Sequence, residues 1–151
     1  MKVHFWGVRG SIPTPITPEQ IQSKIMAAIQ RANPSDLENA ETRARFISTL
    51  PSWIYGTAGG NTACVEIKAG NTEFVLDAGS GIRGLGKSHN LPKDNHYNLF
   101  FSHFHWDHIQ GLPFFDAAYN PNSVFDVYSA FPDMENILRM QMETPCFPVP
   151  F

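Results

Sequence analysis

The chain is 151 residues long, with 42% hydrophobic and 17% charged side chains and a formal net charge of −3. This apolar content suits one compact domain and excludes a disordered chain, and no segment clusters lysine or arginine, so nonspecific nucleic-acid binding is not indicated. There is no charged-then-apolar leader, no apolar run long enough to cross a bilayer and, with Cys64 and Cys146 alone, no disulfide framework; a cytoplasmic protein without membrane attachment is the expectation.

In chain order, Lys2 to Gly7 (KVHFWG) reads as an opening strand, ended by a glycine-bearing turn and three prolines. Thr17, Pro18 and Gln20 supply an N-cap, a proline at the first helical position and the partner of a capping box, so a helix to about Ala32 follows. Asn33 and Pro34 stop it. Ser35 with Glu38 reads as a second capping box, predicting a helix to about Leu50 and making residues 18–50 a helical hairpin insertion. Its Lys24, Arg31, Arg43 and Arg45 offer either guidance for an anionic substrate or a solvated helix surface, the second being the ordinary use of such charges.

Thr62 to Ala69 and Thr72 to Asp77 form a predicted hairpin about the Gly70-Asn71 turn. A short helix is predicted over Ser80 to Lys87, then a strand Tyr97 to Phe101, a strand Ser123 to Ala130 and a helix Pro132 to Met142 that opens on Pro and Asp. The strand ending at Phe101 delivers Ser102 to Gly111, SHFHWDHIQG, into a strand-to-helix loop.

That loop packs three histidines and an aspartate into the six positions from 103 to 108. His103, His105 and Asp107 alternate, so an extended backbone projects them to one side; His108 breaks the parity and demands a turn at about Trp106 to Asp107. The turn would let His103 and His105 face one cation and Asp107 and His108 a second. Nitrogen and oxygen donors together suit zinc, manganese or iron. The bland alternative is a polar loop that only hydrogen-bonds, and the spacing weighs against it.

HFHWDH has the form HxHxDH and resembles the signature of the metallo-β-lactamase superfamily. FWGVRGSIPTP (residues 5–15), GGNTAC (59–64) and DAGSGIRGLG (77–86) precede HFHWDHIQGLP (103–113) in the order found in the branch that holds cyclic-nucleotide phosphodiesterases and tRNA 3′-end endonucleases. The resemblance implies an α/β fold of the αββα sandwich type, two divalent metal ions, and hydrolysis of a phosphodiester or other small anionic substrate by a hydroxide bridging them. It implies His103, His105, Asp107 and His108 as metal ligands, Asp107 also acting in the catalytic step, and Asp77 supporting a ligand histidine from behind. No cofactor-binding residues beyond these are implied. Zinc is the first choice of metal, with manganese and iron as alternatives.

Family members complete the two-metal site with later histidines and a bridging aspartate, yet no histidine follows His108 here. The expectation is therefore a single incomplete domain over 1–151, the N-terminal half of a larger hydrolase, built mainly on one mixed sheet with outer helices. A half-sandwich leaves a sheet face uncovered, which would recruit another chain or a second copy. The rival expectation is accordingly a non-catalytic truncated domain that binds a partner through that face.

Other candidates carry ordinary readings. Asp77 either orients a ligand histidine or caps the glycine-rich turn after it. The glycines at 79, 81, 84 and 86 lack the lysine of a phosphate loop and read as a tight turn, and Gly59 to Thr62 is either a site-lining loop or plain turn chemistry. Phe104 and Trp106, at the variable positions of the motif, either wall the site or simply pack, with burial the ordinary expectation. His89 and His96 bracket a polar loop, His4 lies on the first strand as a hydrogen-bonded imidazole, and Cys64 is a small strand residue.

Overall fold

The computed structural model describes residues 1–70, 72–88, 95–145 and 147–149; the readings at Asn71, at His89 and its loop through Asp94, and at Cys146 fall outside them. The described chain is mixed α/β, with six helices and one five-stranded sheet in the order β1-β2-β3-β4-β5. It divides into two compact units, 1–14 with 58–151, and 15–57. No helix among the described residues is long and apolar enough to cross a membrane.

In the larger unit, β1 (Lys2–Gly7) runs antiparallel to β2 (Cys64–Ala69), with Phe5 opposite Val65, and β2 forms a hairpin with β3 (Thr72–Leu76) that turns through Gly70 at φ 62°. Chains that reverse tightly can pair antiparallel, whereas parallel neighbours need a crossover. Two follow. The first carries α4 (Ile82–Gly86) and leads to β4 (His96–Phe101); the second carries α5 (Trp106–Ile109) and two short 3-10 turns and leads to β5 (Val124–Ser129). The last helix, α6 (Met134–Gln141), follows β5.

Alternation along the strands sorts the two faces. Val75, Tyr97, Leu99 and Phe101 point to one side and join Ile82 and Leu85 of α4, Phe115 and Leu138 of α6 in the core. Tyr97 stacks on Phe125 at 5.1 Å and meets the edge of Phe115 at 5.3 Å. On the opposite face Val3, Phe5, Val124 and Tyr128 are exposed by 44% to 56%. The buried Glu66 and Glu73 share the ammonium of Lys68 at 2.8 and 3.1 Å, and the Trp6 indole N–H donates to Glu66. Burial alone would lower the Lys68 pKa, but hydrogen bonds to the two carboxylates outweigh it and raise the pKa.

His96 departs from its expected place in a polar loop: it begins β4, opposite Val124, and its Nε2 lies 2.8 Å from Asp126 Oδ2. Pairing with β5 extends the strand one residue beyond what alternation alone marks. His4 is exposed and stacks on Trp6 at 4.2 Å.

In the smaller unit, α1 (Pro18–Ile29) opens on the expected box: Thr17 Oγ1 accepts from the Gln20 N–H at 3.3 Å and Gln20 Oε1 from the Thr17 N–H at 3.0 Å. The second box is misplaced by the sequence reading. Ser35 sits inside a 3-10 turn over Pro34–Asp36, and α2 (Ala40–Thr49) is capped by Asn39, whose Oδ1 accepts from the Thr42 N–H at 3.0 Å. Thr42 Oγ1 returns the favour to the Asn39 N–H at 3.2 Å, so this reciprocal pair does the work assigned to Ser35 and Glu38. A further short helix, α3 (Ser52–Tyr55), was not legible. Three of the four basic side chains are used within the unit: Lys24 Nζ donates to the Trp53 and Gly56 carbonyls, Arg31 lies over the Trp53 ring at 5.3 Å, and Arg43 donates to the Leu37 carbonyl.

Candidate metal centre

The site grows from the ends of two adjacent parallel strands. Leu76 and Phe100 are register partners, so the residues that follow them, Asp77 and then Ser102, emerge side by side although they are 25 apart in sequence. Asp77 takes a left-handed conformation at φ 60°, which costs a non-glycine residue on the order of 1 kcal/mol. The strain is offset locally. The Asp77 N–H donates to the Phe100 carbonyl at 2.8 Å, and its carboxylate accepts from the Ser102 N–H at 2.8 Å and the Ser102 hydroxyl at 2.9 and 3.0 Å.

After Ser102 the chain passes His103 and Phe104 to His105, which takes the N-cap position of α5 at φ −63°, ψ 149°. The single helical turn brings His108 back to the strand ends, where its Nδ1 meets Asp77 Oδ2 at 2.8 Å. Backbone bonds hold α5 to the DAGSG turn: Ala78 N–H to the His108 carbonyl at 2.7 Å and Gly111 N–H to the Ala78 carbonyl at 2.9 Å. The contact is close enough to require glycine. A Cβ on Gly79 would lie 2.2 Å from the Asp107 carbonyl oxygen, and one on Gly111 would lie 2.0 Å from that of Gly79.

The GGNT segment braces this arrangement. Thr62 is fully buried; its Oγ1 accepts from the Ser80 N–H at 2.8 Å and the Gln110 amide at 3.1 Å, and its own N–H donates to Ser80 Oγ. The Asn61 carbonyl accepts from the Val8 and Arg9 N–H groups, which sets the loop after β1 on the same side. From that loop Ser11, at φ 68°, donates its N–H to Asp107 Oδ2 at 2.8 Å. This bond holds the Asp107 carboxyl below the ordinary carboxylate range; partial burial opposes it, while the residue's own N–H and the nearby His108 and His103 reinforce it.

All the expected site residues therefore gather. The His103 ring lies 4.6 Å from His105 and 3.9 Å from His108, and His108 Nε2 lies 3.5 Å from Asp107 Oδ2. The expected division into a His103–His105 pair and an Asp107–His108 pair is less clean than the motif suggested, because the turn of α5 brings His108 nearer to His103 than His105 is. Phe104 packs between Phe101 and Phe131, but Trp106 is 80% exposed, against the expectation of burial. It opens a four-residue helix whose buried residue is Ile109. Cys64 is fully buried, and burial, with Glu66 and Asp77 adding to it, pushes its thiol pKa up, so it serves as an inert strand residue.

The donor chemistry fits a divalent ion in part. A separation of 3.5 Å is long for a hydrogen bond, yet it is close to the roughly 3.4 Å between two corners of a tetrahedron with metal bonds of about 2.1 Å. The second nitrogen of His108 is held by Asp77, the arrangement that fixes a ligand imidazole. Among the described residues, however, no group of three or more His, Cys, Asp or Glu is placed to hold one ion.

Sequence reasoning missed Ser102, Ser11 and Gln110, and gave Thr62 only as part of a loop that either lines the site or makes a turn. Ser102 had a signal, lying directly before the first histidine at a strand end, but only the β3–β4 register makes it a partner of Asp77. Comparison with protein-family models, with curated proteins and with solved structures finds no match to this chain.

Proposed function

We propose that this chain carries part of the centre of a metal-dependent hydrolase that cleaves phosphodiesters or similar small anionic esters. In this reading the helix-covered sheet is one half of a metallo-β-lactamase-like αββα sandwich. His103, His105, Asp107 and His108 contribute to holding two divalent ions, zinc first and manganese or iron as alternatives, with the remaining ligands lying outside the described residues. When bound, such ions would polarise a phosphoryl oxygen and acidify a water. The chain's own residues orient the site: Asp77 holds His108, and the Ser11 N–H holds Asp107.

The observation that carries the reading is the line Asp77–His108–Asp107, in which one imidazole nitrogen is bound at 2.8 Å and the other faces a carboxylate at 3.5 Å. The choice of phosphodiester over lactam, lactone or thioester rests on the resemblance of the four ordered motifs, since ligands alone do not discriminate among them. The test is zinc titration of the metal-free chain against a chromophoric chelator, with bis(p-nitrophenyl) phosphate turnover measured in parallel. Weak zinc uptake that disappears in His108→Ala and Asp107→Asn, with little or no turnover from so incomplete a ligand set, is the expected result; a wild-type chain with no detectable zinc binding at any concentration, or variants that bind as well, overturns it.

The exposed sheet face favours a second reading, a non-catalytic domain that docks a partner chain or a second copy there. Val3, Phe5, Val124 and Tyr128 on that face are largely open to solvent. Sedimentation that is independent of concentration, and unchanged by Tyr128→Glu, would exclude self-association.

A further inference from the structure

One imidazole and one hydroxyl converge on the Asp77 carboxylate, and a second imidazole meets that hydroxyl. Its Oδ2 lies 2.8 Å from His108 Nδ1, and both its oxygens lie within 3.0 Å of Ser102 Oγ. The same Ser102 Oγ lies 3.0 Å from His103 Nδ1 and 3.4 Å from His108 Nδ1. We propose that Ser102 is a positioning residue that carries the orienting effect of Asp77 to His103, so that one carboxylate sets the tautomer of two histidines. The inference rests on the reading of these histidines as metal ligands and deepens it.

Counting protons leads there. A hydroxyl has one proton and two lone pairs, and a carboxylate has only lone pairs. If the Ser102 proton pointed at His103, both short contacts with Asp77 would set lone pair against lone pair. The proton therefore goes to Asp77, and Ser102 Oγ must accept from His103, which places a proton on His103 Nδ1. His108 Nδ1, with Asp77 Oδ2 as its nearest partner, is a donor for the same reason. The longer contact from Ser102 to His108 needs no proton of its own, since that of His108 is already on Asp77.

Both rings are thereby held with Nδ1 protonated and the Nε2 lone pair free. That is the form able to bind a cation through Nε2, and for His108 this is the nitrogen that faces Asp107. The backbone N–H of Ser102, bonded to Asp77 Oδ1 at 2.8 Å, holds the serine in register with the carboxylate. Asp77 thus reaches His108 directly and His103 through one hydroxyl.

The test is nitrogen-15 NMR of the histidine rings in the metal-free full chain at about pH 8.5, well above the ordinary histidine pKa. The wild type is expected to show His103 and His108 with Nδ1 protonated. In Ser102→Ala, His103 should move toward the Nε2-protonated form that a solvated imidazole prefers, while His108, bonded directly to Asp77, stays as it was. Ser102→Thr, which keeps the hydroxyl, should restore the wild-type pattern.

A wild-type His103 protonated on Nε2, or an unchanged His103 in Ser102→Ala, overturns the proposal. Should Ser102→Ala not fold, the wild-type and Ser102→Thr spectra decide it. Zinc affinity, measured on the same samples, should fall about 10- to 100-fold in Ser102→Ala. Tautomers as stated in a chain that binds no zinc would refute the metal reading and leave the relay standing, whereas zinc binding with the wrong tautomers would refute the relay alone.

Discussion

Replacing Gly111 with alanine tests how the ligand loop is held. Gly111 has φ −84° and ψ −20°, a conformation any residue adopts, so the backbone itself resists nothing and crowding is the whole effect. The new methyl carbon would lie 2.0 Å from the Gly79 carbonyl oxygen and 2.8 Å from Ile82 Cγ2. Carbon and oxygen need about 3.2 Å without a hydrogen bond, so α5 and the DAGSG turn must separate by roughly 1 Å. Both partners are fixed, one as backbone and the other as a fully buried side chain of the core.

Two backbone bonds cross the same gap, Ala78 to His108 and Gly111 to Ala78, and stretching them by that distance forfeits about 1 kcal/mol each. Overpacking adds about 1–3 kcal/mol, so Gly111→Ala should destabilise the fold by about 3–5 kcal/mol, a large share of a typical domain's stability. Urea unfolding followed by circular dichroism measures it. Gly10→Ala is the control, because no atom lies within 4 Å of the position its Cβ would take, and its effect should stay within about 0.5 kcal/mol. A Gly111→Ala protein within about 1 kcal/mol of wild type would refute the argument that close approach of these backbones dictates the glycines.

Other perturbations have defined outcomes. Asp77→Ala removes the partner of His108 and of Ser102 together and should weaken zinc affinity about 10- to 100-fold by chelator competition; unchanged affinity would reduce Asp77 to a structural role at the turn. Lys68→Met leaves the buried Glu66 and Glu73 without their shared cation and should cost about 3–5 kcal/mol in urea unfolding at neutral pH. Because the folded-state pKa of Lys68 is raised, its contribution is fully present below the ordinary lysine value of about 10.4 and is lost as pH rises through the raised value. The gap between wild type and Lys68→Met should therefore narrow above about pH 10.4, and a gap that widens there would contradict the pairing. Trp106→Ala should change stability by no more than about 0.5 kcal/mol, as the side chain is 80% exposed, and a loss of several kcal/mol would place it in the core after all.

The sequence by itself determined the elements whose signals are local. Alternation marked the strands of the sheet to within two residues at each end, and Thr17, Pro18 and Gln20 specified the start of α1, because a capping box satisfies its own backbone donors within one turn. The turn after His105 followed from parity alone, since His103, His105 and Asp107 share a side of an extended chain and His108 does not. At the second helix the local signal misled: the sequence places the cap at Ser35, whereas the reciprocal Asn39–Thr42 bonds put it four residues later.

Tertiary structure decided whatever depends on residues far apart in the chain. The parallel register of β3 and β4 set Ser102 against Asp77, and the loop after β1 reached across 96 residues to place Ser11 on Asp107. Pairing with β5 drew His96 into a strand, and Trp106, an aromatic residue that composition alone would bury, was left in solvent at the start of a four-residue helix. Spacing in a sequence records which side of its own element a residue faces. The neighbour it meets there is set by strand register and by how closely backbones approach, and these are properties of the packed sheet.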